Sequence, residues 1–397
     1  MRSYNSPDSA VKYLQPEQPV ILYRPHALKR AVDTFLTRFK GDVMYAVKTN
    51  PDEHVLKDLW AHGIRRFDAA SLHEVAMVRG LFPSAEIYFM HTVKSRKAIR
   101  EAYYTYGVRH FSLDCQDELN KILSETDYAD DLGLHVRLAI PNTYAELALT
   151  DKFGAAQTDA AVLLADVRAV AAHTGVCFHV GSQCMHPDAY KMAIKLAKQV
   201  VKASGIRIDS FDVGGGFPSV YPGMTPPPML DYFAAIHDAT RDIVKQHGCR
   251  LLAEPGRALV AESGSVLVRV ELRKGNFLYI NDGTYGSLFD AGVPKWLYPC
   301  KLLNRKATTD EQEGFSLYGP TCDTMDFMKG PFMLPADIKE GDYIEIGQLG
   351  AYGRTMATRF NGFAPATQSV VVKDEPLLSH YAPLAEPREV AYEAAIA

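Results

Sequence analysis

Lys48 lies in the stretch MYAVKTNP, at the end of a short apolar run and ahead of the turn-forming residues Thr49-Asn50-Pro51. Most lysines in such a place simply extend their amine into water. Other residues of reactive type, however, fall in matching places further along. Asp68 ends the run RRFDAA, Arg137 lies in LHVRLAI, and His179 with Ser182 follow the next run. Gly214-Gly215-Gly216 close SFDVGG, and Glu254 with Gly256 and Arg257 close RLLAEPG. Each has an ordinary use when taken alone. Asp68 and Glu74 suit the capping of a helix that begins after Ser71, and His179 suits a satisfied core position. Glu254 suits a structural carboxylate, and Arg257 an ion pair as well as a phosphate. Together they supply an amine, a glycine-rich phosphate cradle, a carboxylate and an aromatic base. That set fits pyridoxal phosphate. A lysine amine condenses with its aldehyde, a carboxylate keeps the pyridine nitrogen protonated, and glycines with an arginine hold the phosphate.

These residues need a scaffold that brings strand ends to one face. In PHALKRAVDTFLTRF the apolar residues repeat with a helical period, and DVMYAV follows as a buried strand. The alternation then continues, with helical stretches near 53-61, 72-80, 94-106, 116-125, 157-172, 187-203 and 229-246. Between them lie RRFDAA, EIYFMH, RHFSLD, LHVRLAI, CFHVGS, SFDVGG and RLLAEPG, so that with the first there are eight short runs. Eight strands alternating with helices predict a (β/α)8 barrel, in which all these ends share the face where active sites sit. A doubly wound open sheet is the other arrangement with this rhythm, but no GxGxxG follows an early strand to favour its dinucleotide-binding form. Past residue 263 the pattern turns strand-like, in SVLVRVELRKGNFLYINDG, FSLYGP and DYIEIGQLGAY, which predicts a mostly β domain. YPGMTPPPML reads as a Pro-rich loop within the barrel half, and the tail after Asp374 as a segment prone to fray.

The 397 residues carry a formal charge of -4 and are 47% hydrophobic, enough to fill a large core. No basic run could track phosphates along a nucleic acid, and no apolar stretch reaches the length of a membrane span. The N-terminus lacks the pattern of a signal peptide, so a cytoplasmic location is the expectation. The six cysteines form no CxxC pair, which argues against zinc ribbons and disulfide scaffolds. No metal is expected.

The motifs YAVKTNP, FDAASLHE, VRLAIP, DKFGA, FHVGSQ, DVGGGFP, AEPGRALV, INDGTYGS, YGPTCDTMD and GAYGRTMATRFNGF occur in this order between residues 20 and 363. In this the chain resembles the fold-type III pyridoxal-phosphate basic amino acid decarboxylases, most closely bacterial ornithine/lysine decarboxylases. The resemblance implies an alanine racemase-like fold: a barrel over 24-263 and a β domain over 1-23 and 264-397. It also implies a homodimer whose active sites are shared. Lys48 then corresponds to the Schiff-base lysine, Glu254 to the carboxylate on the pyridine nitrogen, and His179 to the residue stacked on the ring. Ser182, Gly215, Gly216, Gly256, Arg257 and Tyr352 correspond to phosphate contacts. Asp68 and Glu74 correspond to groups that orient Lys48 and the ring, and Arg137 to an ion-pair partner in that network. From the other subunit would come Cys322, as the acid that protonates the substrate carbon, and Asp323, as the grip on the distal amine. Tyr285 and Phe360 join this substrate-binding set, and Lys152 with Asp326 would form an intersubunit salt bridge.

Related diaminopimelate enzymes have Glu after the cysteine, whereas Asp323 here favours a bare distal ammonium. The implied reaction is decarboxylation of L-ornithine to putrescine, with L-lysine to cadaverine close behind. Other diamino acids (diaminopimelate, arginine or carboxynorspermidine) and a non-catalytic regulatory homologue are the alternatives. A short loop after NDGTYGS brings Asp290 close, as a second contact to the distal amine. Alanine racemase-like enzymes share the barrel, but GPTCDTMD argues for decarboxylation over racemisation.

Overall fold

A computed structural model describes residues 1–147, 152–363 and 366–381 of the chain. Eight short strands, numbered here along the barrel, are β1 (Asp42–Ala46), β2 (Arg66–Ala69), β3 (Glu86–Phe89), β4 (His110–Leu113), β5 (Gly133–Arg137), β6 (His173–Cys177), β7 (Ser210–Asp212) and β8 (Arg250–Ala253). Each pairs in parallel with its sequence neighbours, and β8 pairs with β1, which closes the barrel. Closure leaves no strand edge unpaired. Helices such as Glu53–Ala61, Leu72–Leu81 and Met229–His247 connect the strands and bury their apolar faces against the outside of the barrel.

The inside of the barrel is layered. Asp42, Arg66, Glu86, His110, His173, Ser210 and Arg250 each begin a strand and so occupy its foot. Met44, Tyr88, Met90, Cys177 and Leu252 form a separate buried cluster, the plug of side chains that fills such barrels. Above it the strand ends open into a cavity. β6 covers His173–Cys177, earlier than the run CFHVGS suggested. Its register explains why: Cys177 pairs with Arg137 on one side and Asp212 on the other, both the last residues of their strands. From Phe178 onward the chain leaves the barrel sheet and belongs to the mouth, where Ser182–Cys184 pairs with Ala145–Leu147.

A nine-stranded sheet adjoins the barrel, centred on Gly264–Lys274. Val20–Tyr23 runs antiparallel to that strand, and Gln368–Val372 lies parallel on its other side, so both ends of the described chain enter one sheet. Arg24 pins the junction. Its guanidinium is buried and bonds Glu345 at 2.8 Å, Asp374 at 3.0 Å and Ser265 at 2.9 Å, satisfying a charge that would otherwise be costly to bury. Among the described residues, no helix is long and apolar enough to cross a membrane.

Candidate active site

The cavity at the barrel mouth encloses ≈ 440 Å³, and its wall includes Lys48, Asp68, Arg137, His179, Ser182, Gly215, Gly216, Glu254, Gly256, Arg257 and Tyr352. Lys48 is not the last strand residue but sits in a single 3-10 turn, Val47–Thr49, just past β1. Pro51 holds Asn50 extended (φ −159°, ψ 101°) and ends that turn after one cycle. Asn50 Nδ2 donates to the carbonyl of Gly350 at 2.8 Å, tying the turn to the β domain. The amine of Lys48 lies 3.2 Å from Asp68 Oδ2. Burial works against its charge, but Asp68, Tyr352 and Glu254 outweigh it and hold the ammonium above the ordinary lysine range.

Glu254 follows β8 and faces Asp212, the last residue of β7. Burial raises both carboxyls: Asp212 moves from 3.8 to about 7, moderated by hydrogen bonds from the Gly214 N–H and from Glu254, and Glu254 rises well above its ordinary value, pushed further by the charges of Asp212 and Asp68. Asp212 Oδ1 accepts from the N–H of Gly214 at 2.8 Å, while its buried Oδ2 finds no donor among the described residues apart from Glu254, once that acid is protonated. His179 accepts at Nδ1 from the N–H of Gly181 at 3.0 Å, which leaves Nε2 as its protonated nitrogen. Burial, with Arg137 and Lys48 nearby, keeps that imidazole neutral.

On the opposite wall Arg257 donates to Tyr221 Oη at 2.8 Å and approaches Ser182 Oγ and Asp290 Oδ2, each at 3.4 Å. Its guanidinium lies 4.4 Å from the ring centre of Trp296 and 4.9 Å from that of Tyr352. Its Nε is buried without an acceptor among the described residues. The N–H groups of Gly215 and Gly216 likewise find no acceptor among the described residues. Gly216 takes φ +101°, and a Cβ at Gly215 would stand 2.8 Å from the Glu254 carbonyl and 2.9 Å from His179 Nε2. Unpaired donors of a cation and of two side-chain-free residues are what a phosphate requires. With an amine and an acid pair elsewhere in the same cavity, the residues present fit pyridoxal phosphate.

Several expected residues take other positions. Arg137 stands 5.5 Å from the ring centre of Phe153 and has no carboxylate at ion-pair distance among the described residues. Glu74 accepts from the N–H of Ala70 at 2.7 Å beside the Ser71 cap, and burial raises its carboxyl. Asp290 is buried against Arg257, and lines neither the cavity nor the cleft beside Asp326. Asp326, expected to bridge to Lys152 of the other subunit, is held within its own chain here. It is 1% exposed, and both its oxygens are engaged within the chain, by the Thr284 N–H at 2.7 Å and by Thr321 N–H and Oγ1 at 3.0 and 2.8 Å.

Cys322, Asp323, Tyr285 and Phe360 gather at a second place, away from the cavity wall. Tyr285 donates to Asp323 Oδ2 at 2.6 Å and its ring lies 4.9 Å from that of Phe360. Cys322 is exposed, its Sγ 3.2 Å from Asn361 Oδ1. The Met325 N–H and the Tyr285 hydroxyl hold the Asp323 carboxyl below its usual range. Asp212, Thr49, Tyr221 and Trp296 are site residues that sequence reasoning missed. Asp212 was readable by the strand-end rule that found Asp68, whereas Tyr221 lay inside a stretch read only as a loop.

Comparison with known proteins agrees with this chemistry. The family model for the pyridoxal-binding domain of pyridoxal-dependent decarboxylases matches residues 25–261. A lysine/ornithine decarboxylase of Selenomonas ruminantium is 29% identical over 371 residues, covering 90% of this chain and 89% of that protein. Antizyme inhibitor 2 of Xenopus laevis is 31% identical over 351 residues, covering 80% and 73%. The crystal structure of the Paramecium bursaria Chlorella virus arginine decarboxylase bound to agmatine superposes with a TM-score of 0.80 at 28% identity, covering 92% of this chain and 99% of that one.

Proposed function

The chain belongs to the pyridoxal-dependent decarboxylases, and from that membership we propose that it removes the α-carboxyl group of L-ornithine, giving putrescine, with L-lysine as its second substrate. It is a pyridoxal-phosphate-dependent carboxy-lyase of the basic amino acid type. The observation that carries the substrate assignment is Asp323, a partly exposed carboxylate held ionised by the Met325 N–H and the Tyr285 hydroxyl, with no cation at ion-pair distance among the described residues. A bare ammonium is the complementary charge.

Pyridoxal phosphate, when bound, supplies an electron sink for the pair left by departing carbon dioxide. Lys48 is the amine that would hold its aldehyde, with Asp68 fixing the amine's direction. Arg257, Ser182, Tyr352, Gly256 and the N–H groups of Gly215 and Gly216 would hold its phosphate. Glu254 keeps a proton at the inner end of the cavity, backed by Asp212, and His179 and Arg137 line the ring's space. Cys322 carries the thiol suited to return a proton to the substrate carbon, while Phe360 shields the departing carboxylate.

Cys322 and Asp323 stand apart from the cavity within one chain, which supports a homodimer in which each cavity is completed by the partner. We assign residues 24–263 to the cofactor domain and 1–23 with 264–397 to the β domain that supplies this edge. Residues 382–397 lie outside the described residues. We assign the protein to the cytoplasm.

The test is product analysis from L-ornithine, L-lysine, L-arginine and meso-diaminopimelate with added cofactor, using Lys48→Ala as the control. Putrescine formed fastest, and only by the intact chain, is the expected result. Agmatine as the main product would transfer the assignment to arginine. No amine from any substrate, with the cofactor bound, would transfer the assignment to another substrate of the same fold, whereas failure to bind the added cofactor would favour a regulatory homologue. Ornithine and lysine differ by one methylene, worth ~1–3 kcal/mol in a pocket, so a preference of about 10- to 200-fold is the scale to look for.

A further inference from the structure

His110, His135 and His173 converge inside the barrel toward its foot, at the end opposite the cofactor cavity. Their ring centres form a nearly equilateral triangle with sides of 5.3, 5.3 and 5.6 Å. One ring nitrogen from each lies within 4.8 Å of the others, and His110 Nδ1 is 3.1 Å from His135 Nε2. We propose that these three imidazoles form a binding site for one borderline divalent cation, with zinc as the best match.

The triangle has the dimensions such an ion imposes. Three imidazole nitrogens at about 2.0–2.1 Å from a tetrahedral centre lie about 3.3 Å apart and place the ring centres about 5 Å apart. The strand register builds the space for it. His110 pairs with Gly133, and His135 with Gly175, and a side chain at either glycine would strike the facing imidazole. His135 is fully buried whereas His110 and His173 are half-buried, so the triangle has a rigid back and a side open to solvent. Ser210 Oγ lies 3.0 Å from His173 Nε2 and 3.4 Å from His135 Nδ1, close enough to orient both rings, which leaves the fourth position to water.

Electrostatics favour coordination. Burial keeps all three imidazoles neutral near pH 7, with His110 lowered to about 4, and neutral nitrogens are the form that binds metal. The surrounding charges balance: Asp42 and Glu86 are paired with Arg66 and Arg250 in a closed ring. Nitrogen-only ligands select zinc, copper or nickel over magnesium or calcium. The ion would join three successive strands, β4, β5 and β6, and so reinforce the barrel. The competing explanation is a chain of hydrogen bonds among neutral imidazoles and Ser210, with no ion.

The test uses tag-free, metal-depleted holoenzyme titrated with cobalt(II) as a spectroscopic substitute, followed by zinc. Expected are visible bands of tetrahedral intensity saturating at one ion per chain, displaced by zinc, and weakened at least about 100-fold in His173→Gln and His110→Gln. Zinc should raise the melting temperature of the intact protein but not of either variant, and the pyridoxal absorption should be unchanged throughout. The absence of tetrahedral bands in the intact protein would overturn the proposal. So would bands that survive undiminished in both variants, which would place the ion elsewhere. Because the intact protein alone can fail this test, misfolding of a variant does not shelter the proposal.

Discussion

Asp212 and Glu254 bring two buried carboxyls together, where the second ionisation is opposed by the first. Asp212 rises from 3.8 to about 7, so in the folded chain it keeps a proton that the unfolded chain has already released. Between those values the folded state binds more protons, and stability therefore falls as pH rises from about 4 to about 7. Replacing Asp212 by Asn removes one of the two acids. Thermal melts of the cofactor-free protein should show a difference between Asp212→Asn and the parent that grows in favour of the variant across this window, on the order of a few kcal/mol at its upper end. Parallel curves would mean that the pair does not share a proton. The buried imidazoles His110, His135 and His179 titrate in the opposite sense, and the comparison of the two proteins cancels them.

At the scale of elements, the single turn Val47–Thr49 and the loop before Arg257 are packed so closely that Gly256 has no room for a side chain. A Cβ there would collide with Thr49 Oγ1. Thr49 in turn accepts the Tyr352 N–H at 3.0 Å through its carbonyl, so the collision would displace Lys48 and Tyr352 together. Gly256→Ala should weaken pyridoxal phosphate binding by about tenfold or more, measured by titrating the cofactor's absorption, and Thr49→Ala in the same chain should recover part of the loss. Unchanged affinity in Gly256→Ala would show that this contact gives way. The same closeness explains what could be read from sequence. The eight strands were legible because each apolar run is bounded by turn residues and flanked by helical periodicity, and because barrel strand ends share a face. The sequence places β6 too late because CFHV is more apolar than HTGVC, and only pairing with Arg137 and Asp212 fixes where the strand ends. The 3-10 turn under Lys48 was hidden because Pro51 was legible as a turn, whereas its effect on Lys48 depends on the anchor to Gly350.

Across the whole molecule, the features that escaped the sequence join residues distant along the chain. Arg257 finds Tyr221 and Asp290 only once the β domain is in place, and His110, His135 and His173 meet only through the register of three strands. The cavity gathers the amine, acid pair and phosphate-facing donors that fit pyridoxal phosphate, yet Asp323, the carboxylate proposed to hold the substrate's far amine, stands with Cys322 at another surface. A complete catalytic unit on this reading takes its cavity from one copy and its Asp323 edge from another. The measurement that tests this most directly mixes Lys48→Ala with Asp323→Ala, each inactive alone, and follows amine formation from L-ornithine. Random reassociation makes half of the dimers mixed, each with one intact site, so recovery of about one quarter of the unmodified protein's activity is expected. A mixture as inactive as its components, although the two chains demonstrably exchange, would contradict a site shared between copies.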